Sequence, residues 1–205
     1  GEAQALNMLS NLAGFEGDYE RGRQLGREGL MIRERLADLE GLSDALREVG
    51  MIEFLDNQLG PASDFFRRAV LAGREAGDER AVANASYSLG LVHHLKGELH
   101  EARRLYGVCL ATDRAQGHRA SEGSNLCNLG HVAVLEGSAE EARTLLRESL
   151  IASHEGGDRR RIAFTLSVVA CLMVLEEQYE LALRMDAAGL AALDALRATL
   201  APAMR

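Results

Sequence analysis

Along residues 84–118, NASYSLGLVHHLKGELHEARRLYGVCLATDRAQGH, apolar side chains recur every three to four positions on both sides of Gly97. Leu89 and Val92 lie upstream of it, and Leu99, Ala102, Tyr106 and Cys109 lie downstream. That spacing predicts two amphipathic helices, and the glycine between them predicts a tight turn. Shifting the frame by forty residues reproduces the pattern with no insertion. Gly97 then corresponds to Gly17 and Gly137, Ala102 to Ala62, Ala142 and Ala182, and Gly90 to Gly50, Gly130 and Ala170. A fixed period of this kind means copies of one unit, none of which closes a core alone, so that stacking neighbours creates it.

Five units follow, at 1–38, 39–78, 79–118, 119–158 and 159–196, with a tail at 197–205 expected to cap the array within a single domain, 1–205. Each unit has a first helix, A, and a second, B. The A helices are expected near Ala3–Glu16, Leu39–Asp56, Glu79–Lys96, Arg119–Glu136 and Arg159–Glu176. The B helices are expected near Tyr19–Ala37, Gly60–Ala76, Glu98–Gln116, Ser138–Glu155 and Gln178–Leu193. Gly77, Gly117 and Gly157 recur at one phase as helix stops. Asp38, Asp78 and Asp158 then stand where a side chain caps the free N–H groups of the next helix. Pro61 falls in the first turn of a B helix, where its missing N–H is harmless.

Phase also defines the core. Leu46, Val49, Leu89, Val92, Leu126, Leu129, Val132, Leu166, Val169 and Leu172 form the A-helix stripe, opposite Phe65, Phe66, Ala69, Leu105, Tyr106, Cys109, Leu145 and Leu146. Gly50, Gly90 and Gly130, set against Ala62, Ala102 and Ala142, are expected to bring paired helices close. The fold class is all-α: a right-handed α-solenoid of five helix-turn-helix repeats, ten helices in all.

Composition sharpens this picture. The hydrophobic fraction is 47%, but aromatics are only 4% and tryptophan is absent, so the packing material is Leu, Ala and Val. A net charge of −8 argues against a nucleic-acid face, which needs positive surface. Lys96 is the only lysine among 23 basic residues, which reads as a GC-rich genome. No apolar run reaches membrane-spanning length and no signal peptide is visible. Cys109, Cys127 and Cys171 are odd in number and scattered, which points to reduced thiols and a cytoplasmic setting. The first residue is Gly1 rather than Met, which reads as a piece cut from a longer protein.

The repeat carries a recognisable signature: Leu-Gly in helix A, Gly at the turn, then Ala, then a large residue four further on. GDYERG at 17–22, GELHEAR at 97–103 and GSAEEAR at 137–143 resemble turn-to-helix-B segments of tetratricopeptide repeats. The forty-residue version, with REAGD, SLGLV and GHVAVLEG, resembles the repeat region of MalT-like and LuxR-type ATP-dependent bacterial transcriptional regulators. The resemblance implies a non-enzymatic interaction and sensor module cut from such a regulator. The alternative it leaves open is a stand-alone scaffold or peptide-binding receptor. The implied partner is a protein or peptide, other domains of the parent among them, or a small effector, with no direct nucleic acid, no membrane and no cofactor. The phosphate-binding GxxxxGK[ST] of the family's ATPase part is absent from this sequence.

The resemblance further implies that helix A lines a concave ligand groove. The candidate groove residues are Asn7, Asn11, Arg47, Met51, Phe54, Asn84, Tyr87, His94, Cys127, His131 and Phe164, with Leu91, Ser124, Ser167 and Cys171 at the same phases. The family's carboxylate-binding variant needs Lys, Asn and Arg together, and Arg47 is the only basic residue here, so an acidic C-terminus is not the expected ligand. Cys127 and His131, four apart, and His94 form a conceivable zinc set, but without a fourth ligand or supporting shell they read as packing residues and no metal is expected. His93, His94 and Cys109 carry no oxyanion signature, so no enzyme activity is expected. Arg23, Arg27, Arg67, Arg103, Arg143 and Arg147 fall on the outer side of the B helices and read as a solvated face paired with Glu101, Glu140, Glu141 and Glu148.

Overall fold

The computed structural model describes residues 1–200, with the side chains of Glu40 and of residues 196–200 left aside. Ten helices and no strand lie among the described residues: α1 Glu2–Phe15, α2 Tyr19–Leu36, α3 Leu39–Leu55, α4 Leu59–Ala76, α5 Glu79–Leu95, α6 Leu99–Gln116, α7 Arg119–Leu135, α8 Ala139–Glu155, α9 Arg159–Leu175 and α10 Tyr179–Leu200. The odd-numbered helices are the A helices and the even-numbered ones the B helices. All ten helix starts and nine of the ten C-terminal ends agree with the sequence pattern to within a residue or two. The tenth does not: α10 runs on to Leu200, because nothing between Gly189 and Pro202 stops it and Ala and Leu dominate that stretch. Residues 201–205 of the expected cap lie outside the described residues.

One device closes every turn. After each helix a single residue adopts the left-handed conformation, and the next N–H reaches back five residues to a free carbonyl. Gly97 has φ 74°, and Glu98 N donates to His93 O at 2.9 Å. The same bond recurs from Asp38 to Arg33, from Asp78 to Gly73 and from Gln178 to Met173. Glycine fills this slot six times, but Ala37 (φ 52°), Asn57 (φ 58°) and Glu177 (φ 60°) occupy it in the other three. Asp38, Asp78 and Asp158 then accept from the backbone N–H three residues on, as their positions predict, and Asp18 does the same.

Chain contacts gather into two compact units, Gly1–Leu105 and Tyr106–Arg205, with the division inside α6. In the first unit α1 pairs with α2 and α3 with α4; α2 also lies against α3 and α4 against α5. Leu30, Ala45, Leu46, Ala69, Ala72 and Ala85 form one cluster, and Ala62, Phe66, Leu89, Val92 and Leu105 another. In the second unit α7 pairs with α8, α8 lies against α9, and α9 pairs with α10. Its core unites Cys127, Ala133, Ala142, Leu146, Val168 and Leu172.

The small-residue pairing differs in detail from the sequence expectation. Gly50 stands against the Phe66 ring, not Ala62: a Cβ there would lie 2.7 Å from a ring carbon. Gly130 stands likewise against Leu146, not Ala142. The large residue one turn beyond the alanine fills the space over the glycine.

Candidate functional site

The A helices form rows. In the first unit α1 touches α3 and α3 touches α5, and in the second α7 touches α9. By helical phase the candidate residues share one side of each A helix, one or two turns apart. In the first unit Arg47, Met51, Phe54, Tyr87, Leu91, His94 and Asn11 are half-buried, and Asn84 is exposed. Asn7 is buried beneath them. In the second unit His131, Ser124 and Ser167 are half-buried, and Phe164 and Cys171 are exposed.

Cys127 is fully buried in the core of the second unit and has no surface to offer a ligand. Asn7 and Cys127 share one register with Arg47 and Tyr87. Their short side chains stay under the surface, whereas the longer ones reach it. Burial also pushes the Cys127 thiol up and lifts Cys109 to about 12, so neither is a ready nucleophile. Burial lowers His131, which favours its neutral form. Among the described residues no group of three His, Cys, Asp or Glu side chains is arranged to hold a metal ion.

Asn7 Oδ1, Arg47 Nε and Glu48 Oε2 are buried and have no hydrogen-bond partner among the described residues, and Asn7 Oδ1 faces Gly29 of α2 rather than the row. Burial raises the Glu48 carboxyl, partly offset by Arg47 and by a hydrogen bond with Asn11. Arg47 Nε has only a longer contact, 3.7 Å to Asp44 Oδ1. Buried polar groups are normally paired, and Ser63 Oγ, Asn125 Oδ1 and Ser153 Oγ are left in the same state elsewhere in the chain. The sequence placed Asn7, Asn11 and Arg47 here but missed Glu48, one residue off the expected phase.

The second unit contributes a cleft of about 390 Å³ between α9 and α10, walled by Cys171, Val174, Tyr179, Leu183 and Asp186. Sequence reasoning found Cys171 but not the α10 side of the cleft, although Tyr179 already holds the turn-following position of the repeat.

The outer arginines do more than meet solvent. Arg143 pairs with Glu140 at 3.6 Å but also with Glu176, the C-cap of α9. Arg23 pairs with Glu53 at 3.1 Å and with Asp56, the C-cap of α3. These two arginines tie α2 to α3 and α8 to α9.

No family model matches this chain, and no curated protein matches it in sequence. Solved structures do match in fold. BtubC (BKLC) from P. vanneervenii superposes with a TM-score of 0.79 at 17% identity, over 95% of this chain and 80% of that one. A putative kinesin light chain of Podosopora anserina, with nearly identical TPR-like repeats, gives 0.72 at 12% identity over 95% of both chains. The Rap conjugation gene regulator of plasmid pLS20, solved with the Phr* peptide, gives 0.72 at 14% identity over 97% of this chain and 64% of that one. The fold is therefore a TPR-like α-solenoid.

Proposed function

We propose that the chain is a non-enzymatic interaction module that takes a peptide or protein segment along the A-helix row α1–α3–α5. The observation that carries this reading is the run of half-buried polar side chains Asn11, Arg47 and His94 along that row. A peptide backbone offers such groups an N–H and a C=O on each residue. Met51, Phe54, Tyr87 and Leu91 beside them supply apolar and aromatic contact for side chains. The Rap regulator with a similar fold, solved with a peptide, supports the ligand class.

Within this reading the chain is the sensor region of a larger regulator, as the forty-residue repeat's resemblance to LuxR-type proteins implies. Peptide occupancy of the row then changes its contacts with an output domain. A free-standing peptide receptor needs the same groove and differs only in what lies beyond these residues.

The test is affinity capture on the immobilised chain, with mass spectrometry of retained peptides and titration of the best one. Arg47→Ala, and separately Tyr87→Ala with His94→Ala, are expected to weaken binding tenfold or more, about 1.4 kcal/mol, with unchanged circular dichroism. Arg67→Glu, on an exposed B-helix position paired with Asp64, is expected to change nothing. Binding that survives both groove changes and is lost with Arg67→Glu assigns the B-helix side instead.

A further inference from the structure

Every A helix ends on a large apolar side chain: Phe15, Leu55, Leu95, Leu135 and Leu175. All five are exposed, at 83%, 39%, 62%, 53% and 42%. Leu55, Leu95 and Leu135 belong to interior units, with a repeat on either side in the sequence, so the exposure is a property of the register itself. The core does not need an apolar residue there. It is filled by the position three residues earlier, at Ile52, Val92, Val132 and Leu172, all buried. The turn after each of these rungs leads to a further apolar residue at the start of the B helix, and in the first unit these are the half-buried Tyr19, Leu59 and Leu99.

The same turns hold the chain's net negative charge. The six residues after each rung together contain twelve acids and two bases, Arg21 and Lys96, out of 31 and 23 in the whole chain. That leaves 19 acids and 21 bases for everything else, so the net charge of −8 arises at the A–B turns. Some of these carboxylates are paired within the chain: Asp56 with Arg23, Glu98 with His93, Glu101 with Arg104 and Glu176 with Arg143. Glu16, Glu177 and Glu180 have no ion pair among the described residues.

In the first unit the rungs form a ladder. Arg23, early in α2, pairs with Asp56 after Leu55, so the first and second turns lie side by side. α1 touches α3 and α3 touches α5, which sets each of Phe15, Leu55 and Leu95 about 8–10 Å from the next. That step decides what kind of segment fits. Seven residues of α-helix rise about 10 Å and return to the same face. Three residues of extended strand cover about the same distance, but strand side chains alternate, so every second rung would meet a side chain pointing away. The carboxylates between the rungs favour lysine or arginine, and they repel nucleic acid and anionic lipid alike. A second copy of the chain brings a net charge of −8 of its own.

We propose that the A–B turns of the first unit dock a cationic amphipathic helix of a partner protein. Its apolar residues, seven apart, sit on Phe15, Leu55 and Leu95, and its lysines or arginines face the turn carboxylates. Three rungs give two seven-residue steps, which fix the phase of the helix. The second unit has Leu135 and Leu175 and so gives one step.

The probe is a fluorescein-labelled, alanine-rich helical peptide of about three heptads, with leucine at every seventh position and lysine on either side of it. Fluorescence anisotropy follows its binding to the full chain. Saturable binding is expected, weakened at least tenfold by Leu55→Gln with Leu95→Gln and weakened also by added salt. A peptide of the same composition with its leucines five apart, on different faces of the helix, is expected to bind at least tenfold more weakly. Leu71→Gln, at an exposed leucine of α4, is expected to shift the affinity less than twofold. All the substituted leucines are exposed, so circular dichroism should show intact folds. Absence of saturation at millimolar peptide, equal binding of the two peptides, or binding indifferent to Leu55→Gln with Leu95→Gln overturns the proposal. So does binding that needs Leu135 and Leu175 instead, which assigns the second unit. Binding lost with Arg47→Ala but kept without the two leucines assigns the peptide to the A-helix row and overturns it as well. Self-association in sedimentation velocity that the two leucine changes abolish gives the ladder to a second copy and overturns the choice of partner.

Discussion

Asn125 donates its side-chain amide to the Asp113 carboxylate across 2.8 Å, and both residues are buried in the second unit. Asp113 follows four residues after Cys109 on α6, and Asn125 holds on α7 the position that Ala45 and Ala85 hold elsewhere. A carboxylate in such a place depends on its donor. Asn125→Leu is expected to destabilise by about 1–3 kcal/mol, the usual cost of stranding a buried polar group. Urea unfolding at neutral pH measures it, and an unchanged midpoint would show that water replaces the amide at no cost.

The same carboxylate gives a pH signature. Burial raises the Asp113 pKa, against hydrogen bonding from Asn125 and the charge of His118. The folded state then holds its proton longer than the unfolded chain. Stability from this group is greatest below the ordinary aspartate range, falls as pH rises through the raised folded value, and is level above it. Asp113→Asn removes that slope. Its stability relative to the parent is expected to be highest at neutral pH and to converge as pH drops below the ordinary aspartate range. Glu122 works in the opposite sense. Its burial pushes it up, but hydrogen bonds from Arg114 and Arg119 outweigh this and hold it low, so it loses stability in acid.

Two glycines in helix interiors are expected to respond oppositely to alanine. At Gly50 the added Cβ meets the Phe66 ring at 2.7 Å in a fully buried contact, so Gly50→Ala is expected to cost about 1–3 kcal/mol by overpacking. At Gly107 a Cβ meets nothing within 4 Å. Gly107→Ala is expected to stabilise by about 0.5–1 kcal/mol, because alanine loses less backbone entropy in a helix. Paired thermal melts decide both, and a destabilised Gly107→Ala would mean that α6 is closely approached there.

The helix ends were legible because the period is strict and the punctuation chemical: glycine at the left-handed slot, aspartate at the cap. Distances across an interface were not. Phase located Gly50 and Ala62 on facing sides, but the reach of the Phe66 ring decided which side chain fills the gap. Phase also grouped Asn7 and Cys127 with Arg47 and Tyr87, and side-chain length separated them. The ion pairs between helices were least visible. Arg23 and Arg143 look like surface charge until Asp56 and Glu176, more than thirty residues on, come beside them.

The left-handed slots held by other residues offer a third comparison. Ala37 at φ 52° and Glu177 at φ 60° have a Cβ where the conformation disfavours one, at a cost of about 1–2 kcal/mol. Both are exposed, so packing does not oppose glycine there. Ala37→Gly and Glu177→Gly are each expected to raise stability by some tenths to about 1 kcal/mol, the strain relieved less the entropy glycine adds to the unfolded chain. Chemical denaturation of the double variant should show near-additive gains, since the two slots lie in separate units.

Ala102 tests the helix pairing itself. It is fully buried on α6, as Ala62 and Ala142 are at the same register on α4 and α8. Nothing larger fits such a position without parting the helices, and a carboxylate there has neither water nor a cation to face. Ala102→Glu is expected to destabilise by about 3–5 kcal/mol, the range of an uncompensated buried charge. Ala111 lies nine residues on along the same helix but is exposed. Ala111→Glu is expected to stay within about 0.5 kcal/mol, as surface changes do. The two variants carry the same new side chain on one helix, so helix propensity and net charge cancel in the comparison. Only the facing surface differs. Equal melting temperatures for the pair would mean that α6 is rotated relative to its neighbours and that the repeat's small-residue register does not mark the helix contact.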